Sequence, residues 1–423
     1  MREIATREDA PHDEEGRRVA RPYDEARGPA MKYVDEFRDG TLAAGLARAI
    51  AREADSGRDY AFMEFCGGHT HAISRYGVAD LLPANVRMIH GPGCPVCVLP
   101  IGRVDMAIRL ALARPEVILC TYGDCLRVPA SDGLSLLKAK ARGADVRMVY
   151  SAADALALAT REPAREVVFF AIGFETTTPP TALVLRQAAA QGLANFSVIC
   201  NHVLTPSAIS TILESPEVRR LGTVPLDGFI GPAHVSTIIG SQPYAFFAEE
   251  YRKPVVIAGF EPLDVMQAIR MLVRQVNEGR AEVENEFARA VVPEGNLKAK
   301  TLVAETFELR RSFEWRGLGL VPYSALRIRA AFAPWDAEAK FGLDYRPVPD
   351  NRACECGAIL RGVRKPTDCK LFGTVCTPET PMGSCMVSSE GACAAHYNYG
   401  RFRDVPVRVV EGAVPLNANQ EPA

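Results

Sequence analysis

From Tyr60 to Gly259 the chain is built of short apolar runs, each stopped by Gly, Pro, Cys or His. The runs are YAFMEF (60–65), VRMIH (86–90), VILCTY (117–122), VRMVY (146–150), VVFFAI (167–172), FSVIC (196–200), GFIG (228–231) and PVVIAG (254–259). Between most of them lie Ala- and Leu-rich helical stretches, such as VDMAIRLALAR (104–114) and AADALALAT (152–160). Apolar strands that alternate with helices must bury both faces of their sheet. The pattern predicts an α/β fold with mostly parallel sheets flanked by helices.

A faint internal echo suggests two such domains. VRMIHGPGC (86–94) resembles DGFIGPAH (227–234), and AIGFETTTPP (171–180) resembles IAGFEPLD (257–264). The expected division falls near Gly143, giving one α/β domain over 58–145 and a second over 146–262. Residues 1–30 are polar and charged and are expected to form a disordered extension. Residues 31–57 hold a helical pattern expected to pack on a third domain. That domain, 263–423, reads first as helices (IRMLVRQVNEGRAEVENEFARAV, then LKAKTLVAETFELRRSF). Its later part, 346–400, is dense in Cys, Gly and Pro with little periodicity, so a metal or cluster is expected to order it.

Composition narrows the function classes. Of 423 residues, 48% are hydrophobic and 24% charged, which excludes a wholly disordered, collagenous or coiled-coil chain. Lys plus Arg is 49 against 51 Asp plus Glu, a net charge of −2, so no global field draws the chain to nucleic acid or to a membrane. No apolar segment reaches spanning length, and the start is charged throughout, so a cytoplasmic protein is expected. In that compartment clustered cysteines are metal-binding or redox-active more often than bridged.

Twelve cysteines are present, and several fall in patterned turns. Cys66-Gly67-Gly68-His69-Thr70-His71 follows the run YAFMEF. Ligands of open parallel sheets bind at strand carboxyl ends, and a helix start there favours a thiolate. His69 or His71 would act as ligand, proton shuttle or donor to that thiolate; the plain alternative is a buried thiol beside a tight turn. Gly91-Pro92-Gly93-Cys94-Pro95-Val96-Cys97 follows VRMIH. Its Cys-x-x-Cys is either a redox dithiol or half of a metal site. If both turns share a sheet edge, three thiols with an open position suit iron or copper; a structural zinc completed by His69 or His90 is the alternative. Cys120, Cys125 and Cys200 end or follow apolar runs and read as core filler.

The third set is Cys354, Cys356, Cys369, Cys376, Cys385 and Cys393. Six exceed the four that one zinc or one cubane cluster needs, so the arithmetic fits four ligands plus a dithiol. Spacing alone chooses neither the four nor the metal. The stretch around Cys354 and Cys356 is expected to be extended, which would send the two side chains to opposite faces. The Gly-Phe-Glu turns carry Glu175 and Glu261, each either capping the helix that follows or facing an interdomain cleft. His234 ends its strand as Cys94 does and would line the same cleft from the second domain. No Walker lysine pattern or GxGxxG is present, so a nucleotide fold has little support.

Taken together, CGGHTHAI (66–73), GPGCPVC (91–97), GFETTTPP (173–180), GPAHVSTIIG (231–240), AGFEPLD (258–264) and the cysteine-rich segment 354–400 make the chain resemble the HypD family of hydrogenase maturation factors. The likeness runs from about residue 33 to about 410. It implies two α/β domains and a third domain with a [4Fe–4S] cluster. It also implies a role in assembling the Fe(CN)2CO centre of [NiFe]-hydrogenases. Iron would be held with the small chaperone HypC, and cyanide would come from HypE, with HypF upstream. By motif position, Cys66, Cys94 and Cys97 would be the iron-site cysteines, with His69 beside them. Cys354, Cys369, Cys376 and Cys393 would bind the cluster, and Cys356 and Cys385 would form a redox-active dithiol. The competing reading is a stand-alone iron–sulfur thiol oxidoreductase. It accounts for the cysteines but not for the Cys66 turn or the Gly-Phe-Glu turns.

Overall fold

The computed structural model describes residues 35–221 and 225–400. The expected extension over 1–30 and the tail beyond 400 lie outside the described residues. Nine parallel-paired strands form two sheets. They are β1 (Tyr60–Glu64), β2 (Val86–His90), β3 (Val117–Thr121), β4 (Asp145–Met148), β5 (Glu166–Gly173), β6 (Phe196–His202), β7 (Gly228–Pro232), β8 (Val255–Ala258) and β9 (Val283–Asn285). The first sheet has the order β2-β1-β7-β8-β9 and the second β4-β3-β5-β6. Every residue of β1 and β3 is buried, as strands covered by helices on both faces require.

The α/β reading holds, but the chain divides differently from the expectation. Gly143 lies between β3 and β4, which pair with each other inside the second sheet. The chain makes β1 and β2, crosses to build the whole second sheet, then returns to lay β7 beside β1. A boundary drawn at 145/146 therefore cuts a sheet. The echoing segments 86–94 and 227–234 belong to one sheet rather than to two. Parallel pairing is non-local, so no local signal marks which strand adopts which neighbour.

The crossover runs through two helices. Helix α1 spans Gly40–Glu53 and α2 Gly67–Tyr76; α3 (Pro95–Val98) and α4 (Ile101–Ala113) then carry the chain to β3. The 31–57 helix, here α1, meets the first helix of the segment 263–423 on which it was expected to pack, Pro262–Asn277, but that helix covers the first sheet. Glu53 receives both Arg270 (2.6 Å) and Arg274 (2.8 Å). Ile50 is fully buried in that seam.

Residues 263–285, expected in the third domain, thus complete the first sheet. The long helix expected there stops at Asn277 because Gly279 takes a left-handed turn (φ +66°). The next expected helix also shortens, to Leu297–Thr306. Its remainder enters two antiparallel ribbons completed by later segments, Phe307–Leu309 with Leu326–Ile328 and Ser312–Trp315 with Gly319–Pro322. Beyond them the cysteine-bearing region is mostly turns and short helices. Among the described residues, no helix is long and apolar enough to cross a membrane.

Candidate functional site

The turns after β1 and β2 are zipped together by backbone. Gly91 N–H donates to the Glu64 carbonyl and Gly67 N–H to the Gly93 carbonyl, both at 2.9 Å. A Cβ on Gly93 would stand 2.4 Å from the Cys66 nitrogen, so only glycine permits this approach. Cys66 is the residue before α2 and Cys94 the residue before α3, and both thiols are buried. The Cys94 sulfur accepts the Cys97 N–H at 3.3 Å.

Glu64, which the sequence reading passed over, organises this corner. Its side chain is fully buried, yet it accepts from the Cys66 N–H at 2.8 Å, from the Thr70 hydroxyl and from His90 Nδ1 at 2.8 Å. The signal for it was a carboxylate inside an otherwise apolar strand, since buried acids need partners. His90 is thereby occupied. His69 is also fully buried, with Nε2 at 3.0 Å from the carbonyl oxygens of both Ala258 and Gly259. Carbonyls only accept, so Nε2 carries the proton and Nδ1 keeps a bare lone pair without a partner. Burial lowers the His69 pKa.

The helix start was expected to favour a Cys66 thiolate. Burial prevails and pushes the thiol up, with the carboxylates of Glu390 and Glu64 adding to it; N–H groups of Gly68 and His69 oppose them. Glu390 comes from the cysteine-rich region and lies against Gly67, where a Cβ would meet it at 2.4 Å. Nothing in its local sequence marks that position.

The third region closes on the Cys-x-x-Cys. The Cys97 thiol contacts those of Cys385 and Cys94. Cys385 in turn contacts Cys356 and Cys393, and Cys356 contacts Cys354. The thiols of Cys94, Cys97, Cys385, Cys356 and Cys354 therefore form one unbroken series. Its middle member has three thiol neighbours able to donate to it, from Cys356, Cys393 and Cys97, which hold Cys385 well below the ordinary thiol range. Gly391 makes room: a Cβ there would lie 2.3 Å from the Cys385 carbonyl oxygen and 2.9 Å from the Cys97 sulfur.

The expected alternation of Cys354 and Cys356 fails. Cys356 opens a short helix, Cys356–Leu360, and the backbone is not extended there. Both sulfurs turn to one side, 2.4 and 2.6 Å from where a Cβ of Gly383 would sit. Among the described residues no three His, Cys, Asp or Glu side chains are already arranged to hold a metal ion. The donors nevertheless suit an iron–sulfur cluster: they are soft thiols. Cys376 accepts the Met382 N–H at 3.3 Å, a bond that helps hold charge on sulfur, and Cys369, Cys376 and Cys393 are each buried.

A cleft of about 690 Å³ lies where the carboxyl ends of the two sheets meet. Cys66, Thr177, His234 and Glu390 all line it. His234 thus reaches the cleft as expected, although from the same sheet as Cys66, and its ring lies 4.1 Å from that of Phe260. His71 turns elsewhere, with Nδ1 3.4 Å from the Ser389 carbonyl. Glu261 caps the helix that follows it, in a capping box with Asp264, and pairs with Arg38. Glu175 caps a different helix: it accepts the Thr205 N–H (2.9 Å) and hydroxyl (3.1 Å). Cys120 and Cys200 are core residues of β3 and β6, while Cys125, also buried, lines the cleft.

Two parallel sheets meeting over a cysteine-edged cleft, sealed by a thiol-rich third region, define a cysteine-lined α/β scaffold. A family model described as HypD, "Hydrogenase formation hypA family", matches residues 41–400. The chain is 74% identical over 377 residues to the hydrogenase maturation factor HypD of Cupriavidus necator, covering 89% of this chain and 99% of that one. It is 55% identical over 382 residues to that of Rhodobacter capsulatus (88% and 99%) and 46% over 374 residues to that of Escherichia coli (87% and 98%). The chain belongs to the HypD family of hydrogenase maturation factors.

Proposed function

We propose that this protein is the scaffold on which the Fe(CN)2CO centre of [NiFe]-hydrogenases is put together. Iron is the cargo, taken up by Cys66, Cys94 and Cys97 together with the chaperone HypC, and cyanide is accepted from HypE. Cyanide and carbon monoxide require electron-rich, low-valent iron, and thiolates supply that density. His69, three residues after Cys66 and fully buried, keeps an unpartnered Nδ1 lone pair. A [4Fe–4S] cluster held by Cys354, Cys369, Cys376 and Cys393 would supply single electrons. Cys356 and Cys385 would pass electron pairs toward the Cys-x-x-Cys by thiol–disulfide exchange. The observation that carries this reading is the unbroken thiol series from Cys354 to Cys94.

Infrared spectroscopy of the protein co-purified with its chaperone tests it. Cyanide and carbonyl bands are expected in the wild type and absent in Cys66→Ala, with visible cluster absorption kept in both. Bands at wild-type intensity in Cys66→Ala would remove that thiol from the iron site. A chain that carries the full ligand set with no partner present would remove the chaperone from it.

A further inference from the structure

A second cavity, of about 630 Å³, shares no lining residue with the Cys66 cleft. Cys354, Cys356 and Gly383 line it, and Leu134, Leu137 and Met382 contribute apolar surface. Eleven of the twelve cysteines are buried; Cys354 is the one that is not. Its sulfur lies beside Gly383, whose missing side chain leaves the space that Cys354 and Cys356 occupy. Cavities of roughly 300–1,000 Å³ admit small-molecule ligands.

We propose that this cavity is the loading port of the C-terminal cysteines, where Cys354 is the first sulfur to take iron from a [4Fe–4S] cluster carried on small thiolates. The proposal rests on the cluster reading given above. The other route fails on burial. From the Cys66 cleft, the thiol nearest the C-terminal set is that of Cys97, which is fully buried behind Ser384 and Gly391. At the port, the Cys354 thiol displaces one carrier thiolate. An Fe–S bond to Cys354 forms, the carrier's Fe–S bond breaks, and the Cys354 proton leaves on the released carrier thiol. No electron moves. Cys369, Cys376 and Cys393, buried deeper, follow by the same exchange.

The full chain, free of metal and kept anaerobic, gives two readouts. With substoichiometric N-ethylmaleimide and peptide mapping, Cys354 is expected to be the first cysteine modified: the Cys356 thiol beside it raises its pKa and slows it, but the other eleven thiols are buried from the reagent. The second readout is visible absorption on adding the synthetic cluster [Fe4S4(SCH2CH2OH)4]2−. Leu137→Trp, at an exposed position lining the cavity, should slow uptake about tenfold at unchanged final iron and sulfide, as occlusion of a concave site predicts. Leu137→Ala should load at least as fast as wild type, and Leu183→Trp, exposed outside the cavity, at the wild-type rate. First modification at Cys66 or Cys125, or wild-type uptake by Leu137→Trp, overturns the port while the cluster reading stands. A wild-type chain that takes up no cluster overturns both.

Discussion

Ser384 donates its hydroxyl to the Cys97 carbonyl at 2.7 Å, deep in the protein. This one bond stitches the loop that carries Cys385 to the helix that carries Cys97. It fixes the register in which two thiols from distant parts of the chain touch.

Ser384→Ala should therefore loosen that contact with little change in fold. A buried hydrogen bond contributes about 1 kcal/mol, and the Cys97 carbonyl left without it adds a desolvation cost of similar size. On titration with a mild oxidant, peptide mapping should find a Cys97–Cys385 disulfide among the first products of the wild type and a lower yield in the variant. Equal yields would mean that the Gly391 approach alone sets the contact.

Gly93→Ala should damage the proposed iron site at its root. The new methyl would meet the Cys66 backbone at 2.4 Å, and backbone cannot step aside as a flexible side chain can. Overpacking of this kind costs about 3 kcal/mol. The urea midpoint should fall, and iron retention with the chaperone should be lost even though no ligand has been removed.

Glu64→Gln keeps the shape of the buried acceptor but removes its charge. Bonds from the Cys66 N–H, Thr70 and His90 converge on this carboxylate, and bonds to a charged acceptor contribute about 1.5–3 kcal/mol each. A loss of about 2 kcal/mol in urea unfolding is expected. Glu64→Ala should cost more, because three donors then lose their partner. A neutral result for Glu64→Ala would show that the corner is held by the backbone zipper alone.

Glu175 provides a pH signature. Burial pushes its carboxyl up to about 7 from an ordinary 4.5, against the opposing bonds from Thr205. The folded chain then holds a proton that the unfolded chain has released between those values. Stability contributed by this group is present below about pH 4.5 and falls as pH rises through 7, by roughly 3 kcal/mol in all. His202 acts in the opposite sense: buried and pulled down to about 4, it makes stability rise with pH up to its ordinary 6.5. Glu175→Gln should remove only the falling component, so the difference between wild-type and variant urea midpoints across pH 5–8 isolates it. A difference that does not change with pH would show that Glu175 stays ionised in the folded chain.

Much was written locally. The apolar runs stopped by Gly, Pro, Cys or His became strands, and β1, β2 and β7 of the first sheet end in the turns that carry Cys66, Cys94 and His234. The Gly-Gly after Cys66 and the Gly before Cys94 became the close approach that such turns allow. Glu261 stands at the start of the next helix, one of the two roles that its turn allowed. These features depend on contacts within one turn, and a residue carries that information in its own shape. Tertiary structure decided the rest. It laid β7 beside β1 and placed β3 with β4, which moved the boundary away from Gly143. It sent Glu175 to a helix some thirty residues on, and it gave Glu64 and Glu390 their places around Cys66. It also turned Cys354 and Cys356 to the same side and joined Cys97 to Cys385. Each of these depends on which distant segment completes the burial of another, and that choice is settled only when the sheets close over a common core.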